Sequence, residues 1–197
     1  RMAGFYTMMT AGVSIAYAES FETVPENLRE IGPTIVCSVP RVYEKMYARV
    51  IDTVAKSPAL RRALFWWAIG VGRAHLYASL AGGASAWLSF QRRVARALVL
   101  RKVEARVGGR LRFFLSGGAP LAKEIAEFFH AAGILILEGY GLTETCPALT
   151  FNRENHYKFG SVGQAQPGVE LKIAPDGEIL GRGANIAKGY FGKPEAT

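Results

Sequence analysis

Cysteine is scarce: Cys37 and Cys146 are the only two among 197 residues. No spacing pairs them, so a disulfide scaffold is excluded and a reducing, intracellular compartment is expected. Long apolar runs are also missing. The uncharged stretch from Ala63 meets Arg73 after ten residues, and the next is broken by Gly82-Gly83. A membrane-spanning helix needs roughly 20 consecutive apolar residues, so none is expected. The sequence shows no internal repeat, low-complexity tract or signal-peptide pattern. With 50% hydrophobic, 20% charged and 11% aromatic residues, the composition excludes a disordered chain, a collagen-like repeat and an acidic tail protein. The chain opens on Arg1 and closes on Lys193-Pro194-Glu195-Ala196-Thr197 with neither a helix stop nor a closing strand. Both ends read as cuts through a longer protein.

Positive charge is abundant, and it is concentrated. The formal net charge is +8. From Asp52 to Arg112 twelve bases stand against Asp52 and Glu104, a local net of +10, while the rest of the chain carries 12 bases against 14 acids, or −2. The basic segment, about residues 56–108, reads as helical. Leu60, Leu64, Trp67, Val71, Ala74 and Ala78 recur every three or four residues, the spacing of one helix face. After Gly82-Gly83, Trp87, Phe90, Val94 and Leu98 restart the pattern, with Arg92, Arg93 and Arg96 largely off that stripe. Two readings stand. One is an interfacial surface, with Trp66, Trp67 and Trp87 at headgroup level and the arginines on anionic lipid. The other is an ordinary helical hairpin packed on a core, with a solvated arginine face. A nucleic-acid partner is not expected, because no recognition helix, zinc finger or aromatic platform accompanies the charge.

On either side of the insert, strand and helix patterns alternate. Gly12–Ala18 reads as a strand, Val24–Ile31 as a helix with Pro25 in its first turn, Thr34–Ser38 as a strand, and Pro40 opens a helix to about Ala55. Beyond the insert, Leu111–Leu115, Pro120–Ala132 and Ile134–Leu137 read as strand, helix and strand. Apolar strands alternating with helices predict an α/β fold, a mostly parallel sheet with helices on both faces. Val169–Ile173, the turn Pro175-Asp176-Gly177 and Glu178–Leu180 form a hairpin pattern, after which Gly181, Gly183, Gly189 and Gly192 read as loop. The predicted organisation is an α/β subdomain over 1–151 carrying the basic helical insert, then the start of a small β-rich subdomain over 152–197.

Two loops carry chemistry. Ser116-Gly117-Gly118-Ala119-Pro120 lies between a strand and a helix. Adjacent glycines permit positive φ and close approach of a ligand, and a helix starting at Pro120 would present unpaired N–H groups. The same loop also reads as a tight structural connection. The second loop, Glu138-Gly139-Tyr140-Gly141-Leu142-Thr143-Glu144-Thr145, follows the next strand. A right-handed crossover puts both loops on one sheet edge, where open α/β sheets bind ligands. Tyr140 offers an aromatic face for a base, Thr143 a hydroxyl for a phosphate oxygen, and Glu144 a carboxylate for Mg²⁺. Each also has a plain reading as packing, turn hydroxyl or surface acid.

Tyr-Gly-Leu-Thr-Glu-Thr at 140–145 resembles the signature of the adenylate-forming superfamily of acyl-CoA synthetases, luciferases and peptide-synthetase adenylation domains. Ser-Gly-Gly-Ala-Pro-Leu at 116–121, Gly160-Ser-Val-Gly163, and Gly177–Gly183 with Gly189-Tyr190 resemble neighbouring motifs of that superfamily in the same order. Within it, Ala16–Ser20, Glu26–Glu30, Val39–Lys45 and the arginine-rich insert leading into Gly109–Phe114 look like the long-chain fatty acyl-CoA synthetase branch.

The resemblance implies residue roles. Gly117, Gly118 and Ala119 would lie beside adenine, Gly139 would contact the base through its backbone, and Tyr140 would stack on it. Thr143 would hydrogen-bond the α-phosphate and Glu144 would hold Mg²⁺, the two residues expected to be catalytic. The implied reaction activates a long-chain fatty acid with ATP to an acyl-adenylate, releasing pyrophosphate, and transfers the acyl group to CoA. AMP is the other product. The family's phosphate loop would precede Arg1, and its ribose-binding Asp and catalytic Lys would follow Thr197, so the 197 residues are expected to hold part of the nucleotide site and to be inactive alone. Met2, Phe5, Tyr6, Met8 and Met9 would line a tunnel for the fatty tail or belong to an ordinary core. Alternatives are an adenylating enzyme for another carboxylic acid and a membrane-surface binding module. A cytoplasmic location is expected, with peripheral contact through the basic insert at the inner face of the membrane. Acyl chain length and oligomeric state are not encoded in these patterns.

Overall fold

The computed structural model of the protein describes residues 5–197. In chain order the elements are α1 (Thr7–Thr10), α2 (Val24–Ile31), β1 (Ile35–Ser38), α3 (Pro40–Ala55), α4 (Ala59–Leu80), α5 (Ala86–Ala95), α6 (Arg101–Arg106), β2 (Phe113–Ser116), α7 (Lys123–Ala131) and β3 (Leu135–Tyr140). The strands β4 (Thr150–Phe151), β5 (Gln164–Ala165), β6 (Val169–Ile173) and β7 (Ile179–Gly183) follow. A π-helical turn, Arg96–Leu100, joins α5 to α6. The fold is mixed α/β. β1 to β5 form one sheet in chain order and β6–β7 a separate hairpin. The chain divides into two compact units, Tyr17–Ile136, and Arg1–Ala16 with Leu137–Thr197.

In the unit Tyr17–Ile136, β1 and β2 run parallel in register, Ile35 beside Phe113 and Ser38 beside Ser116. Proline at the first turn starts α2 and α3, and Gly32 (φ 56°) ends α2 in the left-handed conformation. Arg110 then closes that helix end, its Nε donating to Gly32 O at 3.0 Å and its Nη2 to Ile31 O at 3.3 Å. The core is built on Tyr43, Phe114, Phe129, Leu76 and Leu100, all fully buried. Tyr43 packs its ring against Phe114 and donates its hydroxyl to Leu115 O at 2.7 Å, so its polar tip is satisfied.

Helix α4 packs on α7 with unusual closeness. A Cβ on Gly72 would stand 2.2 Å from Ala131 O, so only glycine admits this crossing. The buried residues of α4 are Phe65, Ala68, Ile69, Val71, Gly72 and Leu76. That corrects the sequence expectation by one residue of phase. Leu60, Leu64, Trp67 and Ala74 of the predicted stripe are exposed, and Val71 alone of that set is buried. The same displacement occurs on α5 and the π turn. Trp87, Phe90 and Leu98 are exposed, while Ala95 and Leu100 are buried and Arg92 is half-buried. The cause is common to both. These helices are apolar on more than one side, and periodicity does not state which side meets the core.

The insert's charges divide by role. Lys56 pairs with Asp52 at 2.7 Å and Arg96 with Glu104 at 3.0 Å. Burial lowers the pKa of His75 and takes that of His130 down to about 4, and the nearby Arg92 guanidinium further disfavours both protonated forms. Glu127, buried on α7, accepts from the Tyr77 hydroxyl at 2.8 Å and pairs with Lys123 at 3.6 Å.

In the other unit, β3 and β4 pair antiparallel through Gly139–Phe151 and Tyr140–Thr150, and β4 pairs antiparallel with β5. The hairpin β6–β7 pairs Val169 with Gly183 and Ile173 with Ile179. Gly181 and Gly183, read as loop from sequence, therefore lie in β7. Residues 13–18 form no strand, against expectation, and nearly all of them are exposed. An apolar run there has no partner strand to satisfy its backbone. Of the proposed tunnel wall, Phe5 and Met8 are half-buried, Tyr6 and Met9 are exposed, and Met2 lies outside the described residues. No helix among the described residues is long and apolar enough to cross a membrane.

Two glycines on α4 should respond to alanine with opposite signs. Gly72→Ala forces backbone apart at Ala131 and is expected to cost about 1–3 kcal/mol. Gly70, with open space around it, is expected to gain about 0.5–1 kcal/mol from helix propensity as Ala. Urea unfolding of the two variants decides this. Acid gives a second prediction. The unfolded chain binds a proton at His130 below its ordinary pKa of 6.5, whereas the folded protein resists until about 4. Stability from this group is therefore full above 6.5 and falls as pH drops toward 4, by about 2 kcal/mol between pH 7 and 5. Denaturation of His130→Gln at both pH values should show a shallower decline than the parent.

Candidate functional site

The first loop follows β2. Its strand ends on Ser116, which is buried with an Oγ that has no hydrogen-bond partner among the described residues. Gly117 N donates to Ser38 O at 3.3 Å, continuing the parallel ladder by one residue. Gly118 then turns with φ 83°, a conformation open to glycine and strained for other residues. Gly118, Ala119 and Pro120 are exposed. The expected helix start at Pro120 is corrected to Lys123, with Ala122 extended as its N-cap. Leu121 is buried and draws the chain into the core before the helix can begin. The unpaired helix N–H groups therefore lie beyond Ala122, three residues further from the glycines than expected.

The second loop is shorter than its sequence suggests. β3 runs on through Glu138, Gly139 and Tyr140, so these three belong to a paired strand. A Cβ at Gly139 would fall 2.3 Å from the Phe151 ring, and one at Gly141 would fall 2.1 Å from Pro147 O. Both glycines are thus required by what lies against them. Glu138 is buried, while Tyr140 is half-buried at the strand end.

The chain then enters a single 3₁₀ turn, Thr143–Thr145. Buried Thr145 fastens it, accepting from Leu142 N at 2.8 Å and donating its hydroxyl to Leu142 O at 3.0 Å. With Thr145 held inward, Thr143 is exposed and Glu144 half-exposed.

A strap formed by residues after β7 holds this turn. Asn185 Nδ2 donates to Thr145 O at 2.7 Å and to Ala148 O at 3.3 Å. Ala187 N donates to Glu144 O at 2.7 Å, and the Tyr190 hydroxyl donates to Glu144 Oε1. Tyr190 is itself tied through its N–H to Thr197 Oγ1 at 3.0 Å. The Tyr190 bond, more than a backbone donor, holds the Glu144 carboxyl below the usual carboxylate range, and the same bond pushes the Tyr190 phenol up. Among the described residues no group of three or more His, Cys, Asp or Glu is gathered for a metal ion.

The structure thus brings Thr143 and Glu144 together on one turn, with Gly139 and Tyr140 on the strand that leads into it. Gly117, Gly118 and Ala119 lie on a separate loop in the other unit. Asn185 and Tyr190 are additions that the sequence reading did not make. Gly189-Tyr190 stood out there only as part of a motif, and their partners are about 40 residues distant in the chain. Tyr190→Phe is expected to move the Glu144 carboxyl pKa upward toward 4.5. Side-chain carboxyl NMR of Glu144 across pH 3–6 reads this directly, and an unmoved titration would mean the phenol is not its principal donor.

Comparison with known proteins gives a consistent picture. The family model described as AMP-binding enzyme matches residues 1–191. The chain is 36% identical over 196 residues to the long-chain-fatty-acid–CoA ligase FadD15 of Mycobacterium bovis, covering 100% of this chain and 32% of that protein. It is 37% identical over 200 residues to the putative fatty-acid–CoA ligase fadD11 of Mycobacterium tuberculosis, covering 100% of this chain and 35% of that protein. Among solved structures, the O-succinylbenzoate coenzyme A synthetase of Bacillus subtilis, in complex with ATP and magnesium ion, superposes with a TM-score of 0.57 at 17% identity, covering 99% of this chain and 33% of that one. That likeness is one of fold. The chain spans about a third of the length of these relatives.

Proposed function

The chain belongs to the AMP-binding enzyme family, and on that premise we propose that it forms part of an ATP-dependent, AMP-forming ligase joining long-chain fatty acids to CoA. The observation that carries this reading is the Thr143–Thr145 turn, which presents a hydroxyl and an oriented carboxylate side by side. The fatty-acid–CoA ligases it resembles over its full length support the substrate class.

In this reading Gly117, Gly118 and Ala119 lie along the adenine, Gly139 meets the base through its backbone, and Tyr140 stacks on it. Thr143 donates to an α-phosphate oxygen. Glu144 fits magnesium, which takes one or two carboxylates together with substrate phosphates and needs no all-protein cage. When bound, the ion supplies charge neutralisation for the phosphates. The protein's share is positioning: the hydroxyl of Thr143 orients the α-phosphorus toward the attacking fatty carboxylate as pyrophosphate leaves. The CoA thiolate then attacks the acyl carbonyl, and AMP departs. Two free cysteines suit a cytoplasmic location.

Pyrophosphate–ATP exchange by the whole protein, measured with fatty, aryl and amino acids, tests the reading. Fatty acids of long chain should drive exchange. Exchange with aryl or amino acids alone would reassign the substrate. Thr143→Ala and Glu144→Gln should each slow exchange by about a hundredfold, and unchanged magnesium dependence in Glu144→Gln would remove that residue from the metal site. The 197-residue chain alone should form no acyl-adenylate.

A further inference from the structure

Val39 is all that separates β1 from α3. So short a connection keeps the first turn of α3, Pro40–Tyr43, near the carboxyl end of the sheet, the edge on which open α/β sheets take ligands. Tyr43 ends that turn and is wholly buried. Its ring packs on Phe114 of the neighbouring strand, with 5.2 Å between centroids, and its hydroxyl donates to Leu115 O at 2.7 Å. Burial pushes the phenol well above its ordinary pKa, so the hydroxyl remains a donor throughout the working range.

The carbonyl that Tyr43 engages lies at a strand end. Leu115 is the last residue but one of β2, and the glycines begin two residues on. The segment before Tyr43 makes two more contacts there. Ser38 O accepts from Gly117 N at 3.3 Å, and Val39 Cγ1 stands 4.0 Å from the place a Cβ on Gly118 would take. None of Gly118, Ala119 and Pro120 takes a hydrogen bond among the described residues, and the chain is next fixed at buried Leu121. Adjacent glycines leave such a loop more conformational freedom than other residues would. Its course is therefore set where it leaves the sheet. Of the two hydrogen bonds there, the one from Gly117 is longer than usual for N–H···O, while the one from Tyr43 has the ordinary O–H···O length.

We infer that Tyr43 is a positioning residue for the glycine loop: its hydroxyl, acting through Leu115 O, fixes where Gly117, Gly118 and Ala119 lie and so sets the affinity for the adenine nucleotide. For the nucleotide this rests on the ligase reading; for the loop it rests on geometry alone. Tyr43 and the loop belong to the same compact unit. With no surface of Tyr43 left open, polypeptide packed around that unit finds nothing there to compete for. Phenylalanine at this position would keep the ring on Phe114 and lose only the bond, which separates packing from positioning.

Two measurements on the whole protein test this. In hydrogen–deuterium exchange without nucleotide, Tyr43→Phe should speed exchange at Gly117, Gly118 and Ala119 by about three- to tenfold and leave α7 unchanged. In pyrophosphate–ATP exchange the KM for ATP should rise by a similar factor, with kcat and the KM for fatty acid held within about twofold, the pattern of weakened uniform binding. Gly72→Ala, which strains the same unit at the α4–α7 crossing, is the control: it should speed exchange in α7 and leave the KM for ATP alone. Unchanged loop exchange in Tyr43→Phe would overturn the inference. So would a rise in the KM for ATP that Gly72→Ala reproduces, which would make the effect one of stability. A loosened loop with an unchanged KM for ATP would also overturn it, taking the loop away from the nucleotide and leaving the ligase reading in place. No pyrophosphate exchange by the unaltered protein with any acid would overturn the ligase reading and the nucleotide half of the inference with it; the loop amides then decide the anchoring.

Discussion

The contact between Gly72 and the carbonyl of Ala131 fixes more of the Tyr17–Ile136 unit than its size suggests. It sets α4 against α7 at backbone distance, and once that crossing is fixed the rotation of α4 about its axis is fixed with it. Phe65, Ala68, Ile69 and Leu76 must then face inward. The remaining apolar side chains of the helix have nowhere to go but outward or against α5. Close packing of this kind tolerates little slack, because the interior is as dense as an organic crystal. Helix α5 packs on α4, so the anchoring of α4 also bears on the exposed positions of Trp87 and Phe90.

Punctuation was the most legible part of the fold. Pro25, Gly32 and Pro40 mark helix ends that the structure reproduces to within a residue, and Gly82-Gly83 falls in the break between α4 and α5, since each acts through local backbone geometry. Phase was less legible. Leu60, Leu64 and Trp67 repeat as faithfully as Phe65, Ala68 and Ile69, and only a tertiary neighbour distinguishes the two faces. Strand ends were similarly hidden. Gly139 looks like a break, yet β3 continues because the Phe151 ring fills the place of the missing side chain. Strands of two residues, such as β4 and β5, are too short to carry any alternation.

At the candidate site, the residues to which chemistry is assigned stand close together in sequence, and the residues that hold them do not. Tyr140, Thr143 and Glu144 stand in one short motif. Asn185 and Tyr190 act on that motif by hydrogen bonds reaching back about 40 positions, a distance over which sequence carries no periodic signal. Leu121 is a related case. Its burial delays the helix that Pro120 seemed to open, and local propensity gives no account of a side chain's destination.

The bond from Tyr190 to Glu144 also has an entropic bearing. A glutamate on an open turn is ordinarily free to sample several rotamers, and each has to be given up when the carboxylate is held in one place. A phenol 46 residues away in the chain selects the rotamer in advance, so the cost of ordering this side chain is met in folding and is not left to any later encounter.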